Sequence, residues 1–165
     1  MIPKLLPDTH PLLAQRMPLF EFEDEGAGER ARALSDTLLA ALVHYEGSGI
    51  AANQLGIEAR AFAMQNRDGP IVCFNPIITW LSSESAKIEE GCLTFTNLWL
   101  TISRPKECQL KYTDCDGETH VLDLSGYEAR IALHETDHLD GVNFTSLVSK
   151  LRLSIAKKKA KKLKK

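Results

Sequence analysis

No apolar run in this chain of 165 residues approaches the roughly 18 residues that a membrane-spanning helix needs, so the sequence predicts no membrane segment and no membrane partner. A signal-type apolar stretch is missing too. Met1-Ile-Pro-Lys-Leu-Leu-Pro carries two early prolines, and the acids Glu21, Glu23, Asp24 and Glu25 argue against a transit peptide. The expected location is the cytoplasm. Cysteine is scarce: Cys73, Cys92, Cys108 and Cys115 contain no Cys-x-x-Cys pair, which weakens a zinc-ribbon reading. Nothing marks secretion, so reduced and mostly buried thiols are expected rather than disulfides. Internal repeats are absent. The glycines near residue 49 follow a helix and precede a strand, the wrong order for a dinucleotide or P-loop site.

What remains is an ordinary globular composition, 44% apolar and 25% charged, in a length that suits one domain with a real core. Charge is unevenly spread. Residues 150–165 hold eight lysines, Arg152 and no acid, so the other 149 residues keep 11 of the 20 basic side chains against all 22 acids. The expected division is a catalytic unit at 1–149 and a basic tail at 150–165. Such a tail suits a polyanionic partner. Like charges at neighbouring helical positions repel, so a short amphipathic turn followed by a mobile end is expected.

Leu34, Leu38, Ala41, Leu42 and Tyr45 recur at helical spacing and predict a helix over 28–46, broken by Gly47 and Gly49. Strands are predicted at 59–65 and 71–78 around the turn residues 66–70, with shorter ones near 86–95 and 98–103. The Asp-Gly pair at 116–117 joins strands 106–113 and 119–124 as a hairpin. Helical spacing resumes over 126–139, with Ser125 and Glu128 suited to a capping box and Gly141 placed to stop the helix. The expected class is α+β.

The late helix carries His134-Glu-Thr-Asp-His138. Histidines four residues apart share a helix face and can bind one ion. Glu135 projects about 100° from His134, by the helix period, where a carboxylate can take a proton from water beside the ion. The pattern predicts a metal-dependent hydrolase. A catalytic ion of this kind has three protein ligands and an open position, so a third ligand is owed. His44 and His120 are lone histidines. Cys92, in Glu89-Glu90-Gly91-Cys92-Leu93-Thr94, reads equally as a thiolate ligand or a buried thiol. In Gly47-Ser48-Gly49-Ile50-Ala51-Ala52-Asn53-Gln54 small residues allow close approach, and the Gln54 amide can donate to an oxyanion.

Taken together and in this order, 47–54, 90–94 and 133–138 resemble the Gly-x-Gly-x-Ala-Ala-x-Gln, Glu-Gly-Cys-Leu-Ser and Gln-His-Glu-x-x-His segments of peptide deformylases. Leu6-Pro7-Asp8, Arg104, the turn at 116–117 and Ala129-Arg130 also fall at family-like positions, over roughly residues 6–148. Thr94 replaces a serine and keeps its hydroxyl. Thr96 stands where many members have proline, and Leu133 replaces a glutamine.

The resemblance implies small antiparallel or mixed sheets around a central helix that carries the histidine motif. It implies removal of the formyl group from the N-terminal formyl-methionine of new peptides. Cys92, His134 and His138 would hold the ion, ferrous iron by family habit, with nickel or cobalt as active substitutes; the donor set alone also suits zinc. Glu135 would carry the proton, while Gln54 and the backbone N–H of Leu93 would meet the oxyanion. Glu90 and Arg104 would pair beneath the Cys92 loop. Gly49 and Gly91 would bond the extended peptide, and Ile131 would wall the methionine pocket with Ser48 near it. The lysine-rich tail would lie near the ribosome or its RNA. On the residues alone, a zinc endopeptidase with a distal third ligand and a non-enzymatic RNA-binding role stay open.

Overall fold

The computed structural model describes residues 2–163. Helix α1, Ala27–His44, buries Ala31, Leu34, Leu38, Ala41 and Leu42 along one stripe, as the spacing predicts. Beyond it Glu46 turns the chain with φ 52. Strand β1, Gly49–Ala51, follows, and a 3-10 turn, Ala52–Leu55, completes the segment. The sequence reading had only a glycine-rich turn there; three residues are too few to show a period of two.

Strands β2 (Ala61–Met64), β3 (Ile71–Leu81), β4 (Ser85–Gly91), β5 (Trp99–Pro105), β6 (Glu107–Thr113) and β7 (Thr119–Ser125) form two sheets. One has the order β1-β2-β3-β6-β7, the other pairs β4 with β5. Every pairing is antiparallel. β3 runs three residues past the expected 78 because its pairing with β6 continues to Leu81 opposite Cys108, beyond bulges after Phe74 and Ile78 that break the alternation. Asn75 sits at the first bulge with φ 49. Its side chain bonds both the N–H and the carbonyl of Phe20, at 2.8 and 2.9 Å, and so pins the N-terminal segment to the sheet.

β2 shows why the sheet is central. Ala61 and Ala63 face the cluster of Leu38, Leu42 and Ile50 under α1, while Phe62 and Met64 face the cluster of Leu110, Leu124 and Leu139 under helix α2, Gly126–Leu139. Both faces are covered, and each fully buried leucine contributes roughly 1.5–3 kcal/mol. In α2 every residue from Ala129 to Thr136 is buried, as are His138 and Leu139. The fold therefore carries the histidine motif through its interior.

The ends of α2 divide between expectation and correction. Gly141, with φ 73, ends the helix as predicted, and the Val142 N–H bonds the Asp137 carbonyl at 2.8 Å. The capping box is not formed: Ser125 makes no side-chain bond to the first turn. Glu128 instead accepts the Arg67 backbone N–H at 2.7 Å and its guanidinium at 3.1 Å. The turn at 66–70 thus takes the carboxylate that local pattern assigned to the cap.

Helix α3, Lys150–Leu163, corrects the expectation of a mobile end. Leu153 and Ala156 pack against the buried cluster of Leu98, Leu100, Ile102 and Phe144. Like-charge repulsion on a helix amounts to a few tenths of a kcal/mol per pair, less than such burial supplies. Lys164 and Lys165 of the basic tail lie outside the described residues. All four cysteines are free thiols, with Cys73 and Cys108 buried. Among the described residues no helix is long and apolar enough to cross a membrane.

Candidate metal centre

One helix and one strand end build the centre. α2 presents His134 and His138 from adjacent turns, ring centroids 4.9 Å apart. Cys92 follows the last residue of β4, which brings its Sγ to 3.3 Å from His138 Nε2. One donor atom from each of Cys92, His134 and His138 lies within 4.8 Å of the others. The remaining histidines named as alternatives lie elsewhere: His120 pairs with Asp114 at 2.6 Å in the β6–β7 hairpin, and His44 meets Tyr45 edge to face at the end of α1. Among the described residues this trio is the one group able to hold an ion.

The chemistry of the donors fits one. His134 Nδ1 is 3.0 Å from Glu90 Oε2, which leaves Nε2 to face the other two donors and fixes the ring, as carboxylates behind ligating histidines do. Burial pushes His134 down, but Cys92, Glu90 and Glu135 outweigh it and hold the imidazole up at about 10. The surroundings thus favour positive charge at this point. Burial, with the charges of His134 and Arg104, pushes His138 well down and keeps that ring neutral.

Glu90 anchors more than His134. Its carboxylate accepts Arg104 Nε at 2.7 Å and Nη2 at 3.1 Å, and Arg130 Nη1 at 2.8 Å. Arg104 also donates to Asp137 at 2.7 Å, and Arg130 to the carbonyls of Ile102 and Ala86. Burial would raise Glu90, yet His134, Arg104 and Arg130 hold it down at about 2. The expected Glu90–Arg104 pair is present, enlarged by two residues the sequence reading did not assign. Arg130 stands four residues before His134 and Asp137 three after it, so helical spacing already put both on that face.

Glu135 is 4% exposed, and its Oε2 has no hydrogen-bond partner. Burial pushes its carboxyl up to about 7, against the pull of His134 and Arg104. Gly49 makes room for it: a Cβ there would meet Glu135 Oε1 and come within 2.7 Å of Ile131. Gln54, in the 3-10 turn, is oriented by the end of β1, since the Ala51 N–H donates to Oε1 at 2.8 Å. Its Nε2 is therefore turned toward Thr94 Oγ1 at 3.1 Å and Cys92 Sγ at 3.6 Å. The hydroxyl of Thr94 is in use, as the replacement of serine by threonine allows. Leu133 belongs to the buried apolar cluster beneath α2, where leucine needs no polar partner.

A cleft of about 410 Å³ opens over these groups, lined by Ser48, Gly49, Gln54, Glu90, Gly91, Cys92, Leu93, Ile131, His134 and Glu135. Ser48 and Tyr127 bridge its mouth with hydroxyls 2.8 Å apart. Trp99 forms another wall, its ring filling the space over Gly91, where a Cβ would come within 2.9 Å. Neither aromatic was singled out from the sequence, because nothing local distinguishes an exposed tyrosine or tryptophan.

The family model for polypeptide deformylase matches residues 2–154. A peptide deformylase from Thermotoga maritima is 35% identical over 150 residues, covering 90% of this chain and 88% of its own. The crystal structure of Thermotoga maritima peptide deformylase superposes with a TM-score of 0.83 at 33% identity, over 90% of this chain and 99% of that one. The Legionella pneumophila enzyme gives 0.88 at 26% identity, over 99% and 96%.

Proposed function

This chain belongs to the peptide deformylase family, and on that premise we propose that Cys92, His134 and His138 hold its metal ion while Glu135 moves the proton. The family's reaction, metal-dependent removal of the formyl group from the N-terminal methionine of new peptides, is this chain's activity. The observation that carries the residue roles is the convergence of three donors within 4.8 Å beside a buried carboxylate oxygen with no partner. We assign the ion as ferrous iron by family resemblance, with zinc, nickel and cobalt able to occupy the same donors. When bound, such an ion supplies Lewis acidity that polarises a carbonyl and acidifies water.

Glu135 accepts a proton from water as the water oxygen bonds to the formyl carbon. It then returns that proton to the departing nitrogen as the C–N bond breaks, leaving formate and a free amine. A carboxyl held near 7 by burial can do both at neutral pH. The Gln54 amide and the Leu93 backbone N–H receive the developing oxyanion; one such donor is worth about 10²–10³ in rate. Gly49 on β1 and Gly91 on β4 stand on strands with one partner each, so an extended peptide adds as a strand between them. The methionine side chain lies against Ile131, with Ser48 at the rim.

We place residues 1–149 as the catalytic unit and the protein in the cytoplasm, where translation supplies its substrate. We also propose that α3 faces the ribosome or its RNA. Lys150, Lys157, Lys158 and Lys161 gather around Ser154 on one side of that helix, a cationic face suited to phosphate. The activity test is purification without oxygen, loading with iron or nickel, and amine release from formyl-Met-Ala-Ser. Turnover is expected; its absence with both metals would overturn the reading.

A further inference from the structure

A formylated nascent chain is longer than the cleft over Cys92, and the remainder must leave across the surface. A second cleft, of about 510 Å³, opens beside the first, between α3 and the outer face of β4–β5. Glu89, Asn97 and Trp99 line both, so the two clefts adjoin. Trp99 stands at the junction, 57% exposed, and is paired in register with Gly91. The far wall is one face of α3: Arg152, Ile155, Ala156 and Lys159 recur at three- and four-residue spacing. Ile155 is 60% exposed there. The lysines gathered around Ser154 occupy the opposite side of the helix, by the same spacing.

We propose that this groove is an extension subsite for the downstream part of the formylated polypeptide, the segment beyond the residues held over Cys92. Two features select that occupant. Because the groove adjoins the catalytic cleft, a chain bound by its formyl end meets it on the way out. The groove also combines apolar walls, Trp99 and Ile155, with two cations, Arg152 and Lys159, against the one acid of its lining, Glu89. It therefore takes an apolar side chain between Trp99 and Ile155 and an acidic one beside Arg152 and Lys159. Peptides rich in lysine or glycine at those positions gain nothing from it.

The proposal rests on the deformylase reading of the neighbouring cleft, and its test separates the two. Metal-loaded enzyme is assayed with formyl-Met-Ala-Ser, with formyl-Met-Ala-Ser-Gly-Phe-Leu-Glu-Glu, and with the same octapeptide carrying glycine at its last four positions. The apolar-acidic octapeptide is expected to show kcat/KM about tenfold above the tripeptide, the effect lying in KM. The glycine peptide should match the tripeptide. The double variant Ile155→Glu, Lys159→Glu should abolish the gain and leave tripeptide turnover unchanged, which also reports an intact fold. Equal kcat/KM for all three peptides in the parent would overturn the groove, and so would a gain that survives the double variant. Failure of the tripeptide itself would strike the deformylase reading instead.

Discussion

Glu90 joins four side chains through two oxygens: His134, Arg104, Arg130 and, by way of Arg104, Asp137. Removing its charge strands two buried arginines. Glu90→Gln is expected to cost about 3–5 kcal/mol in denaturant unfolding and to weaken metal binding by about 10–100-fold in a competition titration. A variant as stable as the parent would show that the arginines find other partners. Gly49 offers a sharper steric case. Alanine there puts a methyl group against Glu135 and Ile131, so Gly49→Ala should lower kcat by about 100-fold through displacement of the carboxylate, with metal content kept. Unchanged turnover would mean that Glu135 works from another position. At this scale the sequence was informative where chemistry is local. The His-Glu-x-x-His spacing named three groups by itself. Helical spacing puts Arg130 on the His134 face, but its pairing with Glu90, like the place of Trp99, is a tertiary contact that no local pattern announces.

Elements show the same contrast. α1 is legible because its buried residues repeat at the helical period, α2 because its histidines stand one helical turn apart, and the β6–β7 hairpin because Asp116-Gly117 marks its turn. β1 escaped because it is short, and α3 because its order comes from Leu153 and Ala156 packing on a distant cluster rather than from propensity. The stop of α2 was readable from Gly141, and the structure adds why glycine is required: besides φ 73, a Cβ would come within 2.7 Å of the Ala14 backbone. Gly141→Ala should therefore destabilise the fold by at least about 2 kcal/mol in urea unfolding. It should also loosen the metal, since His138 lies in the helix turn that Gly141 closes. A loss under about 0.5 kcal/mol would contradict this account of the helix end.

For the whole molecule, the separation of charge becomes a separation of faces. The acidic body carries the cleft, while Lys150, Lys157, Lys158 and Lys161 of α3 point away from the side that meets β4–β5. Reversing Lys157, Lys158 and Lys161 to glutamate should weaken co-sedimentation with ribosomes, most visibly at low salt, and leave tripeptide turnover intact. Equal binding by parent and variant would remove the ribosome reading without touching the chemistry. That chemistry is tested most directly at Glu135. With iron or nickel bound and its content measured, Glu135→Ala should lose several orders of magnitude in kcat on formyl-Met-Ala-Ser relative to the parent. If the variant keeps its metal and still turns over at the parent's rate, the proton is carried by another group and the central claim fails.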